Sequence, residues 1–172
     1  MSVVTGDPAP VRLRTRSAHD TRALGEALAR GLGPGDVVLL AGDLGAGKTT
    51  LAQGIGVGLG VVDHVTSPTF TLVRSYPCTA PGVRTFLHAD LYRLERMGEV
   101  VDLALAELVE DDAVAVVEWG DVAQPVLGPD AISVRLAEGP HPDERSVTIS
   151  LAASSATRRD ELSALLGSWV TP

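Results

Sequence analysis

The segment Gly42-Asp43-Leu44-Gly45-Ala46-Gly47-Lys48-Thr49 constrains this chain more than any other stretch. It fits G-x-x-x-x-G-K-[ST] at every defined position, a pattern whose backbone amides cradle nucleotide phosphates. The apolar run Val37-Val38-Leu39-Leu40-Ala41 leads straight into it, as expected of a strand buried on both faces. Helical apolar spacing follows through Leu51, Ile55 and Leu59. Strand, glycine-rich loop and helix in this order make an anion site. The helix N-terminus directs unpaired N–H groups and the positive end of its dipole at the phosphates, and the glycines admit backbone conformations that a side chain would obstruct. Lys48 is the only lysine in the chain, and the other 13 basic residues are arginines. An ammonium on a flexible stem meets the β- and γ-phosphates as a compact point charge, a duty the wider planar guanidinium does not share.

Composition narrows the setting. At 172 residues the chain reads as one domain, long enough to bury about 70% of its unfolded surface. No stretch approaches the ~20 apolar residues of a membrane span, and Asp7 with its neighbouring prolines interrupts any signal-peptide pattern before Pro10. The single cysteine, Cys78, excludes an internal disulfide and suits a reducing cytoplasm. The net charge of -8 and aromatic content of 3% argue against a stand-alone nucleic-acid binder, so any link to RNA is expected to run through a partner.

The remaining elements follow from periodicity and turn chemistry. Val11 to Thr15 alternates as a half-buried strand, and Ser17-Ala18-His19-Asp20 is a capping pattern that opens a helix ended by Gly31, Gly33, Pro34 and Gly35. Phe70 to Tyr76 and Val83 to His88 read as strands around the Pro77–Gly82 turn. A helix is expected from Glu99 to Val109, then a buried strand over Ala113 to Val117 that ends on Glu118-Trp119. Strands near Ile132–Ala137 and Ser146–Ala152 flank a turn-rich stretch, and a last helix is expected over Thr157 to Trp169 with Leu162, Leu165, Leu166 and Trp169 on one side. The domain reading is a flexible N-terminus over residues 1–10, a nucleotide-binding domain over 11–152 and a C-terminal helix over 153–172 packed on it. The glycines at 54, 56 and 58 mean that the helix after the loop gains its stability from packing rather than propensity.

Several side chains then carry candidate chemistry. Asp43, Leu44, Gly45, Ala46, Gly47, Lys48, Thr49 and Thr50 are the nucleotide-binding candidates. The Thr49 hydroxyl is expected on a magnesium ion that bridges the phosphates. Glu118, at the end of a buried strand, is the candidate carboxylate for that ion. Asp90, also at a strand end, is a candidate either for polarising the attacking water or for the metal's water shell, and a turn-capping role competes with both. The hydroxyls of Thr66-Ser67-Pro68-Thr69 are candidates for a switch-like response to the γ-phosphate, against the alternative of a polar turn. Trp119 is as well explained by packing as by a place near the nucleotide, and Arg145 is a candidate nucleotide contact.

Four of these segments, taken together, resemble one family. Gly42-Asp-Leu-Gly-Ala-Gly-Lys-Thr-Thr50, Ser67-Pro-Thr-Phe-Thr-Leu-Val73, His88-Ala-Asp-Leu-Tyr-Arg-Leu94 and Val117-Glu-Trp119 match, in order and spacing, the bacterial TsaE (YjeE) ATPases of tRNA threonylcarbamoyladenosine synthesis. The resemblance implies an α/β fold: a single P-loop NTPase domain with a mixed-direction sheet flanked by helices. It implies weak intrinsic ATP hydrolysis with ATP and Mg2+ as cofactors. It also implies work in the cytoplasm beside TsaB and TsaD proteins, with tRNA met only through that complex and no membrane. On this chain Lys48, Asp90 and Glu118 become the catalytic candidates, Thr49 and Glu118 the magnesium pair, and Ser67, Pro68 and Thr69 the switch-like segment. A small-molecule kinase on the same fold is one alternative, although no arginine-rich lid segment is apparent. A nucleotide-gated binding module with incidental hydrolysis is another. The guanine-reading Asn-Lys-x-Asp motif is impossible here, because Lys48 is the only lysine.

Overall fold

A computed structural model describes residues 8–68, 73–92, 111–119, 130–152 and 155–172. Among these, seven strands form one sheet in the order β1-β7-β6-β2-β5-β4-β3. The strands are β1 (Val11–Thr15), β2 (Val37–Ala41), β3 (Val73–Pro77), β4 (Thr85–Asp90), β5 (Ala113–Glu118), β6 (Ile132–Glu138) and β7 (Arg145–Ser150). Strand β2 runs parallel to β5 and β6, and β5 runs parallel to β4. The remaining pairs, β3 with β4, β6 with β7 and β1 with β7, are antiparallel. A parallel centre therefore carries antiparallel edges. All of β2 and all of β5 are buried, which is why both read as unbroken apolar runs rather than alternating ones.

Helices α1 (Ala18–Ala29), α2 (Lys48–Gly58) and α3 (Ala156–Leu165) contribute to the larger core cluster, with Leu24, Leu28, Leu51, Ile55 and Leu162 buried beside Val38, Leu40, Val116 and Leu136. Ser17 caps α1 by accepting the Asp20 N–H at 3.0 Å. The contact between α1 and α2 explains the glycine-rich composition of α2. A Cβ on Gly54 would fall 2.1 Å from the Arg22 carbonyl oxygen, and one on Gly58 would fall 2.7 Å from that of Glu26. From the facing helix, a Cβ on Gly25 would meet the Leu51 carbonyl oxygen at 2.4 Å. The two backbones meet where side chains are missing.

The C-terminal segment departs from the single helix expected. Helix α3 ends at Leu165, and Gly167–Trp169 tightens into a 3-10 turn. Leu166 then enters the core while Leu165 stays 37% exposed, so the two do not share a buried stripe. Arg158 anchors α3 by donating to both Asp36 carboxylate oxygens and to the Gly31 carbonyl, and the Asp36 bond raises its pKa above the ordinary arginine value. The chain end lies along the β1 edge, with Leu13 bridging Val170 and the Thr171 N–H donating to Arg12 O at 2.9 Å. This partly covers a strand edge that would otherwise present unpaired backbone groups.

The strands expected around 83–88, 113–117, 132–137 and 146–152 appear with ends shifted by one or two residues. The helix expected over 99–109 lies outside the described residues, as does the 70–72 part of the expected strand that began at Phe70. Among the described residues no helix is long and apolar enough to cross a membrane.

Candidate functional site

Parallel neighbours bring the C-terminal ends of β2, β5 and β4 to one edge of the sheet. Leu40 on β2 pairs with Glu118 on β5, and Glu118 pairs with Asp90 on β4. The loop from Gly42 to Gly47 leaves β2 at this same edge and returns into α2. Gly47 caps α2 at φ 102° and Gly42 sits at φ 148°, both in the region that side-chain-bearing residues avoid. A Cβ at Gly42 would also come within 2.4 Å of the Leu136 carbonyl oxygen. These two glycines are therefore demanded by the turn and by close packing on β6.

Lys48, Thr49, Asp90 and Glu118 converge on one cleft of about 320 Å³, with Leu44, Gly45, Gly47, Thr50, Ser67, Tyr92 and Trp119 completing its lining. Lys48 is 4% exposed, and its Nζ donates to Gly42 O at 2.7 Å and to Asp43 O at 2.8 Å. It also lies 4.1 Å from the centre of the Trp119 ring, a cation–π distance. The Thr49 hydroxyl donates to the Glu118 carboxylate, 2.8 Å from Oε1 and 3.0 Å from Oε2. Asp90 Oδ2 accepts from the Ser67 hydroxyl at 3.3 Å, and Oδ1 accepts from the Tyr92 N–H at 3.0 Å.

Trp119 follows Glu118 at φ 61°, the one positive φ outside glycine among the described residues. A bulky residue there stores backbone strain on the order of 1–3 kcal/mol, a feature that clusters at functional sites. Its ring also meets Tyr92, with centroids 4.9 Å apart. The tryptophan thus lines the cleft, and it packs against the second core cluster from its edge.

Arg145, at the start of β7, donates through Nε to Ala46 O at 3.1 Å and through a terminal nitrogen to Gly45 O at 3.4 Å. It braces the phosphate loop from behind. A smaller cavity of about 120 Å³ beside it is lined by Ala18, Thr21, Gly45, Gly47, Thr50, Asp143 and Arg145, so the start of α1 reaches the flank of the loop. Ser67 lies in the main cleft and Pro68 is buried, whereas Thr69 lies outside the described residues. Asp43, the remaining loop candidate, contributes its carbonyl to Lys48.

His88 and Tyr92 gain a part that the sequence reading did not give them. His88 Nε2 lies 2.7 Å from Glu118 Oε1 with the ring fully buried, and Tyr92 walls the cleft. The signal for His88 was period two: Phe86, His88 and Asp90 alternate on one strand and so share a face.

The oxygen pair of Thr49 and Glu118 suits magnesium. Among the described residues no group of three or more His, Cys, Asp or Glu side chains is gathered to hold a metal unaided. One carboxylate and one hydroxyl instead fit a hard cation whose other ligands are phosphate oxygens and water.

The parallel centre, the loop between β2 and α2 and the carboxylate at the end of the adjacent β5 define a P-loop NTPase fold. The comparisons with known proteins carry this further. The model of the family "Threonylcarbamoyl adenosine biosynthesis protein TsaE" matches residues 15–147, and the chain belongs to that family. The tRNA threonylcarbamoyladenosine biosynthesis protein TsaE of Streptomyces coelicolor is 45% identical over 133 residues, 75% of this chain and 88% of that protein. The Mycobacterium tuberculosis protein of the same name is 42% identical over 142 residues, 79% of this chain and 84% of that one. The crystal structure of YdiB from Bacillus subtilis superposes with a TM-score of 0.69 at 29% identity, covering 90% of this chain and 95% of that one.

Proposed function

We propose that this protein is a magnesium-dependent ATPase that binds and hydrolyses ATP to support threonylcarbamoyl transfer to the tRNA adenosine beside the anticodon, acting with TsaB and TsaD proteins in the cytoplasm. The observation that carries the reading is the convergence of Lys48, Thr49, Glu118 and Asp90 on one cleft at the mouth of the phosphate loop. Membership of the family supports the pathway, and the relatives are named for tRNA threonylcarbamoyladenosine biosynthesis. A net charge of -8 supports contact with tRNA through partners rather than directly.

In this reading the backbone amides from Asp43 to Thr50 and the positive end of α2 hold the β- and γ-phosphates. Lys48 exchanges its bonds to the Gly42 and Asp43 carbonyls for phosphate oxygens, and Trp119 guides its ammonium. Thr49 and Glu118, which bond each other directly, open to hold magnesium, which when bound neutralises charge on the phosphate oxygens. Asp90 orients the attacking water and accepts its proton, and Ser67 adjusts to the state of the γ-phosphate through its bond to Asp90. The flank lined by Thr21 and Arg145 receives the nucleoside end.

The test is ATP hydrolysis by the purified protein, alone and with TsaB, TsaD and tRNA. Slow magnesium-dependent hydrolysis, raised by the partners and lost in Glu118→Ala, is expected. No response to the partners would break the pathway reading while leaving the phosphate site standing. Wild-type ATP affinity in Lys48→Ala would break the phosphate site itself.

A further inference from the structure

The His88 imidazole is fully buried on β4, and the reading above gives it no duty. Its Nε2 lies 2.7 Å from Glu118 Oε1, the oxygen that also accepts from Thr49 at 2.8 Å. A carboxylate in this bond accepts, so Nε2 carries the hydrogen and donates it. The other ring nitrogen, Nδ1, is buried and has no hydrogen-bond partner among the described residues. Leaving a polar atom buried without a partner is unfavourable, and packing alone does not require it. The ring stacks on Phe86 with centroids 6.1 Å apart and planes 22° from parallel, a contact that a phenylalanine would make without an orphaned nitrogen. What imidazole supplies and phenylalanine does not is the N–H on Glu118.

We infer that His88 is a positioning residue that fixes the Glu118 carboxylate from inside the sheet. The terminal torsion of a glutamate is broad, so a strand-end carboxylate is free to turn about it. The His88 bond restrains one oxygen from the buried side and leaves the carboxylate edge facing the Thr49 hydroxyl. The two oxygen groups are thereby set for a magnesium–nucleotide complex before it arrives. This inference rests on the reading of Thr49 and Glu118 as the magnesium pair. Removing an outer partner of this kind typically weakens metal affinity by about 10–100-fold.

The experiment titrates magnesium against binding of a fluorescent ATP analogue, for the wild-type chain and for His88→Phe, His88→Asn and His88→Gln. Thermal unfolding checks each fold. Glutamine reaches the Nε2 position with an amide donor, and asparagine is too short to do so. His88→Phe and His88→Asn are expected to raise the half-saturating magnesium concentration about tenfold or more. Their metal-free nucleotide affinity is expected to stay at the wild-type value, and His88→Gln to recover most of the loss. Unchanged magnesium dependence in His88→Phe would overturn the inference, and so would a glutamine variant no better than the asparagine one. If His88→Phe does not fold, the asparagine–glutamine pair decides alone. Should wild-type nucleotide binding ignore magnesium, the magnesium reading of Glu118 falls and the inference falls with it. Failure of His88 alone shows instead as a responsive wild type with equally responsive variants.

Discussion

Gly54→Ala sets two physical effects against each other, and the structure says which one wins. Gly54 lies inside α2, where glycine is about 1 kcal/mol less favourable than alanine. Helix propensity alone therefore favours the substitution by about that amount. A Cβ at this position, however, falls 2.1 Å from the Arg22 carbonyl oxygen, 2.9 Å from its carbon and 3.1 Å from Arg22 Cα. All three are backbone atoms of α1, so no side-chain rotation relieves the contact. Reaching an ordinary separation of about 3.5 Å from 2.1 Å requires α1 and α2 to part by about 1.4 Å, which forfeits about half or more of the dispersion attraction across the gap. Leu24, Leu28, Leu51 and Ile55, all buried on these two helices, share that loss. Overpacking costs about 1–3 kcal/mol, and a backbone clash belongs at the top of the range. After the propensity gain, the net destabilisation is about 2 kcal/mol, or a fall in Tm of about 4–8 °C for a chain of this size. Thermal and urea unfolding followed by circular dichroism measure it. Gly33→Ala is the control, because its Cβ would meet nothing within 4 Å. A Gly54→Ala protein as stable as wild type, or more so, would refute the close approach of α1 and α2 and the explanation of why α2 tolerates its glycines.

Two further outcomes follow from named contacts. Arg145→Ala removes the bonds to Gly45 O and Ala46 O, so nucleotide affinity is expected to fall about three- to tenfold, the worth of one or two hydrogen bonds. The same substitution removes the Arg145 bonds to Pro142 O and Glu144 O, so Tm is expected to fall by a few degrees, and unchanged affinity in a binding titration would exclude a brace on the loop. Burial raises the Cys78 thiol above its ordinary pKa, outweighing a backbone hydrogen bond that lowers it, so less thiolate is present at any given pH. Its reaction with a disulfide reagent near neutral pH is expected to be slower in the native protein than in urea, and equal rates would contradict the burial.

Local chemistry made part of this protein legible from residue order. Val37–Ala41 reads as a strand because both faces are apolar, and the loop after it reads as a phosphate cradle because its glycines and lysine have one shared use. Ser17 reads as a cap because the bond it makes spans only three residues. Strand order is a different kind of fact. That β5 lies between β2 and β4 is what puts Glu118 level with Asp90 and within reach of Thr49. Nothing in the periodicity of any one strand encodes which strand lies beside it. The division of the last helix is not legible in residue order for a related reason: one helical stripe accounts for Leu162, Leu165, Leu166 and Trp169 equally well, and only the packing of Leu166 against the core decides where the turn tightens.

The sequence by itself determined the strand–loop–helix unit, the family and the chemical identity of the cleft residues, because each depends on short-range spacing and residue type. Tertiary structure alone decided that His88 stands behind Glu118, that Arg145 braces a loop 99 residues away, and that α1 meets α2 backbone to backbone. Those contacts join segments distant along the chain, and their geometry exists only once the sheet has fixed the order and register of its strands.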